Sequence, residues 1–301
     1  MNNSRRRFMK QGAATLAGLA LVNPSLFALK KAEILGLQLY SIRDDMKTAP
    51  LDSLKKLAKM GYVNVEHAGY SDRKFYGYPV KEFKSILDDL GMKMPSGHSV
   101  LGKNHWDSGS KDFTSSWKYT LEDAAEVGMQ YVISPWLDQS LRQDEDRLKR
   151  FMEVFNQCGE HCKKMGMKFG YHNHDFEFSE KLNGSTIYDI ILQNTDPEGV
   201  IQQLDIGNMV IGGANAADLL KKYPGRFESL HVKDMIKSDD GHGGFESTIL
   251  GDGLIKIKEI IDMARTSGGT VHFIIEQESY QGVAPLDCMK EDLERMNKWG
   301  Y

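Results

Sequence analysis

The sequence predicts a (β/α)8 TIM barrel of the α/β class, and three features carry this prediction. Eight short apolar runs occur along the chain, and each is followed by a segment with helical spacing. Chemically reactive polar residues follow several of these runs, as expected for a barrel whose strand ends meet at one mouth. No linker or low-complexity stretch divides the chain, so we expect a single barrel domain over residues 29–301.

The predicted strands are short apolar runs that stop at polar or turn-forming residues. In chain order they cover residues 34–40, 62–66, 92–98, 130–134, 167–172, 200–205, 227–232 and 271–276. Apolar residues at helical spacing predict a helix after each strand, over residues 51–60, 80–90, 111–127, 144–165, 186–193, 214–223, 255–265 and 286–299. Glycine closes several of these helices because it readily adopts the left-handed conformation, as at Gly61, Gly91, Gly128 and Gly166.

The first 28 residues have the pattern of an export signal. Residues 4–10 read SRRRFMK, and the apolar stretch that follows is too short to span a membrane. The run resembles the twin-arginine motif, which directs folded proteins across a membrane. We therefore expect residues 1–28 to be a signal peptide and the protein to be periplasmic or otherwise exported. The alternative is a basic amphipathic helix.

The charge of the chain argues against a nucleic-acid partner. The formal net charge is −4, and the four basic residues of the first 28 leave −8 on the remainder. Such an acidic body does not suit a phosphate backbone, and no stable membrane anchor is expected. The three cysteines require no disulfide framework, and Cys158 and Cys162 are interpreted as small apolar residues of a core helix. The sequence leaves a homo-oligomer open.

Potential metal ligands follow each of the last four predicted strands. In order, they are the His172-Asn173-His174 cluster, Asp205, His231 and Glu276. A parallel barrel brings these strand ends together around one mouth. Imidazole and carboxylate groups that converge there are typical of a site for one divalent metal ion. This convergence is the main indication of function.

Other strand ends supply candidate substrate-binding and catalytic residues. Tyr40, Glu66, His98 and Trp136 follow the first four strands, and we expect them to contact a substrate. Glu66 could instead pair with a neighbouring loop, His98 could be a hydrogen-bonded rim histidine, and Trp136 could serve only rim packing. Lys233 follows the seventh strand.

The segment after the seventh strand is long and rich in glycine. Long connections in compact domains are usually lids or disordered, so we expect one of these here, with His242 solvated. Gly251-Asp252-Gly253 lacks the third glycine of a dinucleotide-binding motif. We interpret it as a turn.

Six segments resemble the xylose-isomerase-like barrel superfamily of sugar phosphate isomerases and epimerases. They are residues 36–43 (GLQLYSIR), 171–178 (YHNHDFEF), 204–208 (LDIGN), 230–234 (LHVKD), 251–253 (GDG) and 275–276 (IE). The resemblance covers nearly everything from residue 34 onward. It implies one divalent ion (manganese, magnesium, cobalt or zinc), with ligands His172, Asp205, His231 and Glu276.

The chain departs from the sugar epimerases of this superfamily at His172, where they carry glutamate. A metal-bound imidazole is not free to act as a base, so Glu276 or His174 would remove the proton. His174 lies two residues along and points to the same side, so it could also replace His172 as the ligand. The inosose and dehydroshikimate dehydratase branches look similar, with histidine and lysine at the positions of His174 and Lys233.

The resemblance implies an isomerase or epimerase of a non-phosphorylated keto-sugar, because exported enzymes seldom meet sugar phosphates. The expected first step is removal of the proton α to the carbonyl by Glu276 or His174, with Lys233 acting on an oxygen. The alternative is a lyase or dehydratase that uses the same site on a keto-sugar or keto-glycoside. A DNA-repair endonuclease is a weaker hypothesis, because the acidic charge does not suit DNA. A non-catalytic sugar-binding barrel is also weaker, because a binding protein has no need of the metal ligands.

Overall fold

The computed structural model describes residues 33–301, and its centre is a closed barrel of eight parallel strands. The strands are β1 Ile34–Gln38, β2 Asn64–His67, β3 Lys93–His98, β4 Tyr131–Ser134, β5 Lys168–His172, β6 Val200–Asp205, β7 Ser229–Val232 and β8 His272–Ile275. Consecutive strands are neighbours, and β1 pairs with β8 to close the barrel. The predicted fold class is confirmed, and each predicted strand overlaps an observed one.

Helices follow the strands and cover the outside of the barrel. The main helices are α1 Pro50–Met60, α2 Val80–Asp89, α3 Ser115–Val127, α4 Glu145–Lys164, α5 Ile187–Asn194, α6 Ala216–Lys222, α7 Ile257–Met263, which runs into a π turn at Ala264–Gly268, and α8 Pro285–Trp299. Short helical turns lie at Leu39–Ile42, Arg43–Thr48, Lys103–His105, Gln139–Leu141, Phe176–Ser179 and Ile206–Ile211. The longest helix begins where the Asp144 side chain accepts a hydrogen bond from the Arg147 amide at 2.7 Å.

Alternate residues of each strand point to opposite faces, and this alternation builds two cores. Leu204, Leu230 and Phe273 point outward and are buried beneath the helices. Burial of each such side chain contributes about 1.5–3 kcal/mol. Inside the barrel, Ile133 and Ile201 belong to a small separate cluster. A side chain at Gly170 would collide with these two isoleucines, so the barrel interior requires glycine there.

The inward-facing residues change from apolar to polar toward the carboxyl ends of the strands. In β6 the inward row is Ile201, Gln203 and Asp205, and all three are buried. A residue two positions further along a strand lies one layer higher in the barrel. Ligand-type residues at the strand ends therefore form the top layer, and polar residues two positions earlier form the layer beneath it.

The structure differs from the prediction mainly in the connections. The segment after β7, which we expected to be a lid or disordered, is an antiparallel hairpin of Asp234–His242 and Phe245–Thr248. The helix predicted to start at residue 111 begins at residue 115, because Trp106–Asp107 pairs with Asp112–Phe113. Other short antiparallel strands lie at Tyr70–Ser71, Lys74–Phe75, Tyr78–Pro79, Lys181–Leu182 and Ser185–Thr186.

Two interpretations of glycine and cysteine patterns are confirmed. Gly251 and Gly253 form a turn whose backbone amides donate to the Asp234 carboxylate at 2.9 and 3.0 Å. Cys158 and Cys162 are buried in the core on α4, and the Trp117 indole nitrogen lies 3.3 Å from the Cys158 sulfur.

The predicted signal peptide and its boundary after residue 28 lie outside the described residues. Across residues 33–301, we find no helix with the length and apolar character needed to cross a membrane.

Candidate active site

Four of the predicted ligands converge at the carboxyl ends of β5, β6, β7 and β8. One nitrogen or oxygen atom from each of His172, Asp205, His231 and Glu276 lies within 4.8 Å of the others, and all four residues are buried. We call these four residues the metal cluster. The two carboxylates neutralise the charge of one divalent ion. Together with the two imidazoles, they are donor types that suit zinc, manganese or cobalt.

One carboxylate oxygen of the cluster already lies beside a cation, the Lys233 ammonium group at 2.9 Å. Asp205 Oδ1 accepts a hydrogen bond from the Asn208 amide at 2.7 Å and caps the short helix that follows β6. Asp205 Oδ2 is buried and accepts no hydrogen bond of normal geometry from the described residues. It lies 4.0 Å from both His172 Nε2 and His231 Nδ1. A buried carboxylate oxygen left in this way fits a metal ligand.

The layer beneath the cluster orients its two imidazoles. His231 Nε2 lies 2.6 Å from Glu66 Oε1, which leaves Nδ1 directed at Asp205 and Glu276. His172 Nδ1 lies 3.1 Å from Gln203 Oε1, which leaves Nε2 directed at Asp205. Partners of this kind fix the tautomer of a metal-binding histidine.

The two imidazoles differ in charge when no metal is bound. Burial lowers the pKa of His172 well below its usual value, and neighbouring histidines add to the effect, so His172 is neutral. Burial also acts to lower the pKa of His231, but Glu276 and Glu66 outweigh it and raise this pKa to about 10. A bound metal ion would replace the proton that gives His231 its positive charge.

Glu66 lies beneath the metal cluster and not in the wall of the cavity above it. Its carboxylate accepts hydrogen bonds from Gln38 at 2.8 Å, Ser96 at 2.5 Å and Gln203 at 2.8 Å, besides the contact with His231. Its side chain is fully buried. The sequence predicted a contact between Glu66 and a substrate, but the structure places this carboxylate where it positions His231. Ser96 and Gln203 were not among the predicted site residues.

Replacing Glu66 with glutamine should weaken metal binding while the barrel stays folded. The amide has the same shape but lacks the charge that holds the His231 Nε2 proton. Loss of such a partner typically lowers metal affinity roughly 10- to 100-fold, and calorimetric titration with Mn²⁺ or Zn²⁺ measures this. Asp292→Asn removes another buried carboxylate, which accepts from the Leu250 amide, and should leave metal affinity unchanged. Equal affinity in Glu66→Gln and wild type would contradict the positioning role.

Lys233 lies directly beside the metal cluster. Its ammonium group is 2.9 Å from Asp205 Oδ2, 2.8 Å from Glu276 Oε2 and 2.6 Å from Glu278 Oε1. Burial acts to lower the pKa of Lys233, but Asp205 and Glu276 outweigh it and hold this pKa well above its usual value. Lys233 is therefore a cation at the site. Glu278 was not predicted from the sequence, although it is two residues from Glu276 and therefore follows the strand alternation.

His174 lies outside the metal cluster but in the same cavity. Its Nδ1 is buried without a hydrogen-bond partner in the described part of the chain. Burial lowers the pKa of His174 to about 4, and Lys233 contributes in the same direction, so the ring is neutral near pH 7. Its backbone amide donates to the buried Glu177 carboxyl at 2.8 Å, which fixes the turn after β5. The sequence left open which histidine is the ligand, and this geometry favours His172.

His172 and Glu276 of the metal cluster line a cavity of about 610 Å³ at the barrel mouth. Of the four predicted substrate contacts, Tyr40, His98 and Trp136 line this cavity, and Glu66 does not. Tyr40 is 42% exposed and Trp136 is 45% exposed, so both rings are open to a ligand. His98 Nε2 lies 3.0 Å from Glu66 Oε1, so it is also the hydrogen-bonded rim histidine of the alternative interpretation.

Comparisons with known proteins identify the family to which this barrel belongs. A model of the xylose isomerase-like TIM barrel family matches residues 54–299. An inosose dehydratase from Lacticaseibacillus casei is 25% identical over 185 residues, which are 56% of this chain and 60% of the dehydratase, so the match spans less than two thirds of that relative.

Solved structures give the same result. A sugar phosphate isomerase/epimerase from Parabacteroides distasonis ATCC 8503 has a TM-score of 0.74 at 27% identity, over 89% of this chain and 95% of that one. An L-ribulose 3-epimerase has a TM-score of 0.65 at 13% identity, over 89% of this chain and 94% of that one, which shows a shared fold alone. The chain therefore belongs to the xylose isomerase-like TIM barrel family.

Proposed function

We propose that this protein is a divalent-metal-dependent isomerase or epimerase of a non-phosphorylated keto-sugar. The observation that carries this proposal is the arrangement of side chains at the carboxyl ends of the strands. Four buried metal ligands lie beside two further reactive groups, the neutral His174 and the cationic Lys233. A site that only binds a sugar has no need of this combination. The proposed first step is removal of the proton on the carbon α to the carbonyl.

The described residues can divide this work between them. A bound divalent ion would supply Lewis-acid stabilisation of the carbonyl oxygen and an adjacent hydroxyl oxygen. His174 accepts the proton, since its imidazole is neutral and its Nδ1 has no hydrogen-bond partner among residues 33–301. Lys233 stabilises negative charge on the substrate oxygen or donates a proton to it. Glu276 is the alternative base, although Lys233 and His231 hold its carboxylate.

The class of enzyme depends on what happens to the substrate after its α-proton has been removed. Return of the proton gives an isomer or an epimer. Loss of a hydroxyl or alkoxyl group from the neighbouring carbon gives a lyase or dehydratase product. Two observations favour this second outcome: relatives of about one quarter identity are inosose dehydratases, and Lys233 is placed to protonate a leaving oxygen.

The charge of the cavity supports a substrate without phosphate. Lys233 is the one lysine or arginine in the described wall of the central cavity, and carboxylates surround it. Apart from the bound divalent ion, a phosphate group would meet these carboxylates with little compensation. The export motif in residues 4–10 points the same way, and a periplasmic or otherwise exported location stays a prediction.

Solvent isotope exchange tests the proposed function. A panel of keto-sugars carrying deuterium on the carbon α to the carbonyl is incubated with metal-loaded protein, and substrate and product are both examined by mass spectrometry. We expect a substrate of the protein to lose the label to water. Because elimination can outrun exchange, product identity separates isomerase from lyase. Turnover with the label retained at its original carbon would exclude proton abstraction and indicate hydride transfer.

A further inference from the structure

The central cavity continues into a second chamber beneath the hairpin that follows β7. This second chamber has a volume of about 570 Å³. Both chambers are lined by Trp136, His174, Asn208, Lys233 and Glu278, so they meet directly above the reactive groups. We call the second chamber the hairpin arm. Its remaining lining comes largely from the hairpin and from the turn after β5.

The hairpin is a fixed wall and not a free lid. Ser247 Oγ accepts hydrogen bonds from the backbone amides of Glu278 and Ser279 at 2.7 and 2.8 Å. The Gln281 side chain donates to the Ser247 carbonyl at 2.9 Å. Near the tip of the hairpin, His242 Nε2 lies 3.2 Å from Asp175 Oδ1. The arm is therefore preformed and attached at both ends to loops that surround the reactive site.

An exposed indole stands where the two chambers meet. The Trp136 ring packs edge-on against His174 and Phe176, with centroid distances of 5.2 and 5.5 Å. The Arg142 guanidinium lies 3.7 Å from the Phe176 centroid on the same support. Trp136 is nevertheless 45% exposed. A large apolar face supported in this way is suited to stacking against a ring of a ligand.

The charge of the arm restricts what that ring can be. Asp175, Asp240, Glu246 and Glu278 all line it, against the ammonium group of Lys233 and the imidazoles of His174 and His242. The carboxylates of Asp240 and Glu246 can accept hydrogen bonds from hydroxyl groups. A phosphate or carboxylate in the arm would be repelled. The arm therefore suits an uncharged ring with hydroxyl substituents.

We propose that the substrate carries a second, uncharged ring, which lies in the hairpin arm against Trp136 while the keto-sugar ring reacts over the metal cluster. This inference rests on the proposed function for the reacting ring. A lone monosaccharide would fill only part of the joined chambers, since single ligand sites begin at about 300 Å³. Contacts with a remote ring also supply binding free energy that positions the reacting ring.

Matched substrates test the second ring. A reactive keto-hexose is compared with its methyl and phenyl glycosides, and kcat/KM is measured for each. We expect wild-type protein to prefer the phenyl glycoside over the methyl glycoside. Trp136→Ala should lower this preference by roughly 10-fold because it removes the stacking face. With the 4-hydroxyphenyl glycoside, whose hydroxyl group can donate to the Glu246 carboxylate, Glu246→Ala should lower kcat/KM relative to wild type. Asp239→Ala is the matched control on the same hairpin, because Asp239 does not line the arm and should leave the preference unchanged.

A binding measurement separates failure of this inference from failure of the proposed function. Methyl and phenyl glucoside are titrated into Mn²⁺-loaded protein by calorimetry, which requires no turnover. Tighter binding of phenyl glucoside, reduced in Trp136→Ala, supports the arm even if no keto-sugar reacts. Equal binding of the two glucosides, or an equal kcat/KM for the two keto-glycosides in wild type and in both variants, overturns it.

Discussion

Asp205→Asn should abolish stoichiometric binding of a divalent ion and leave the barrel folded. Asparagine keeps the oxygen that accepts from the Asn208 amide, so the cap of the helix after β6 is preserved. The second carboxylate oxygen, Oδ2, becomes an amide nitrogen, which cannot bind a metal. The cluster then keeps three of its four ligands and one of its two carboxylates. We expect the affinity for the divalent ion to fall by more than about 100-fold.

Elemental analysis and calorimetry measure this effect. Wild-type protein produced with manganese, cobalt and zinc supplied should carry one ion per chain, and Asp205→Asn should carry none. Asp175→Asn changes a carboxylate at the barrel mouth outside the metal cluster and should retain the ion. A metal that binds the folded protein alone also raises its melting temperature, so added metal should stabilise wild type and not Asp205→Asn. Wild-type protein without metal under these conditions would contradict the cluster as a metal site.

The barrel and its mouth were predictable because both depend on local patterns. Each apolar run ends near a polar residue, and parallel strands place these ends together whatever the details of their packing. His172, Asp205, His231 and Glu276 were therefore found without knowledge of any contact. Residues two positions apart along an extended chain point to the same side, which accounts for His174 lining the same cavity as His172.

The layer beneath the cluster was not predictable in the same way. Glu66 on β2 reaches His231 on β7, which is three strands away around the barrel. This contact depends on strand tilt and on how far each side chain crosses the interior. A sequence pattern fixes neither quantity. The sequence identified Glu66 as a strand-end residue, but it did not predict that the side chain lies in the layer beneath the metal cluster.

The hairpin after β7 left a signal that the prediction did not use. Its two strands surround Gly241, Gly243 and Gly244, and the two later glycines adopt positive φ angles of 60° and 84°. Alternating burial on either side of such glycines is typical of a hairpin. The acidic residues Asp239 and Asp240 made the segment look solvated instead. This oversight concealed the wall that forms the hairpin arm.

Replacing the two histidines after β5 separately should produce opposite results. His172→Ala should lose the metal ion, because His172 Nε2 faces the cluster. His174→Ala should keep one ion per chain and lose turnover by roughly 10²–10⁴-fold, the usual contribution of a general base. Lys233→Ala should also keep the metal and lose turnover. Elemental analysis and steady-state kinetics on the same preparations give both measurements.

The form of the kinetic loss distinguishes a chemical role from a structural one. A group that acts mainly in the transition state lowers kcat and leaves KM nearly unchanged, so His174→Ala and Lys233→Ala should both do this. His174→Ala should also slow exchange of the α-proton with solvent, since His174 is the group that removes this proton. Lys233→Ala should slow product formation more than exchange if Lys233 protonates a leaving oxygen. If His174→Ala instead loses the metal and His172→Ala retains it, then His174 is the metal ligand and the base must be another group, His172 or Glu276.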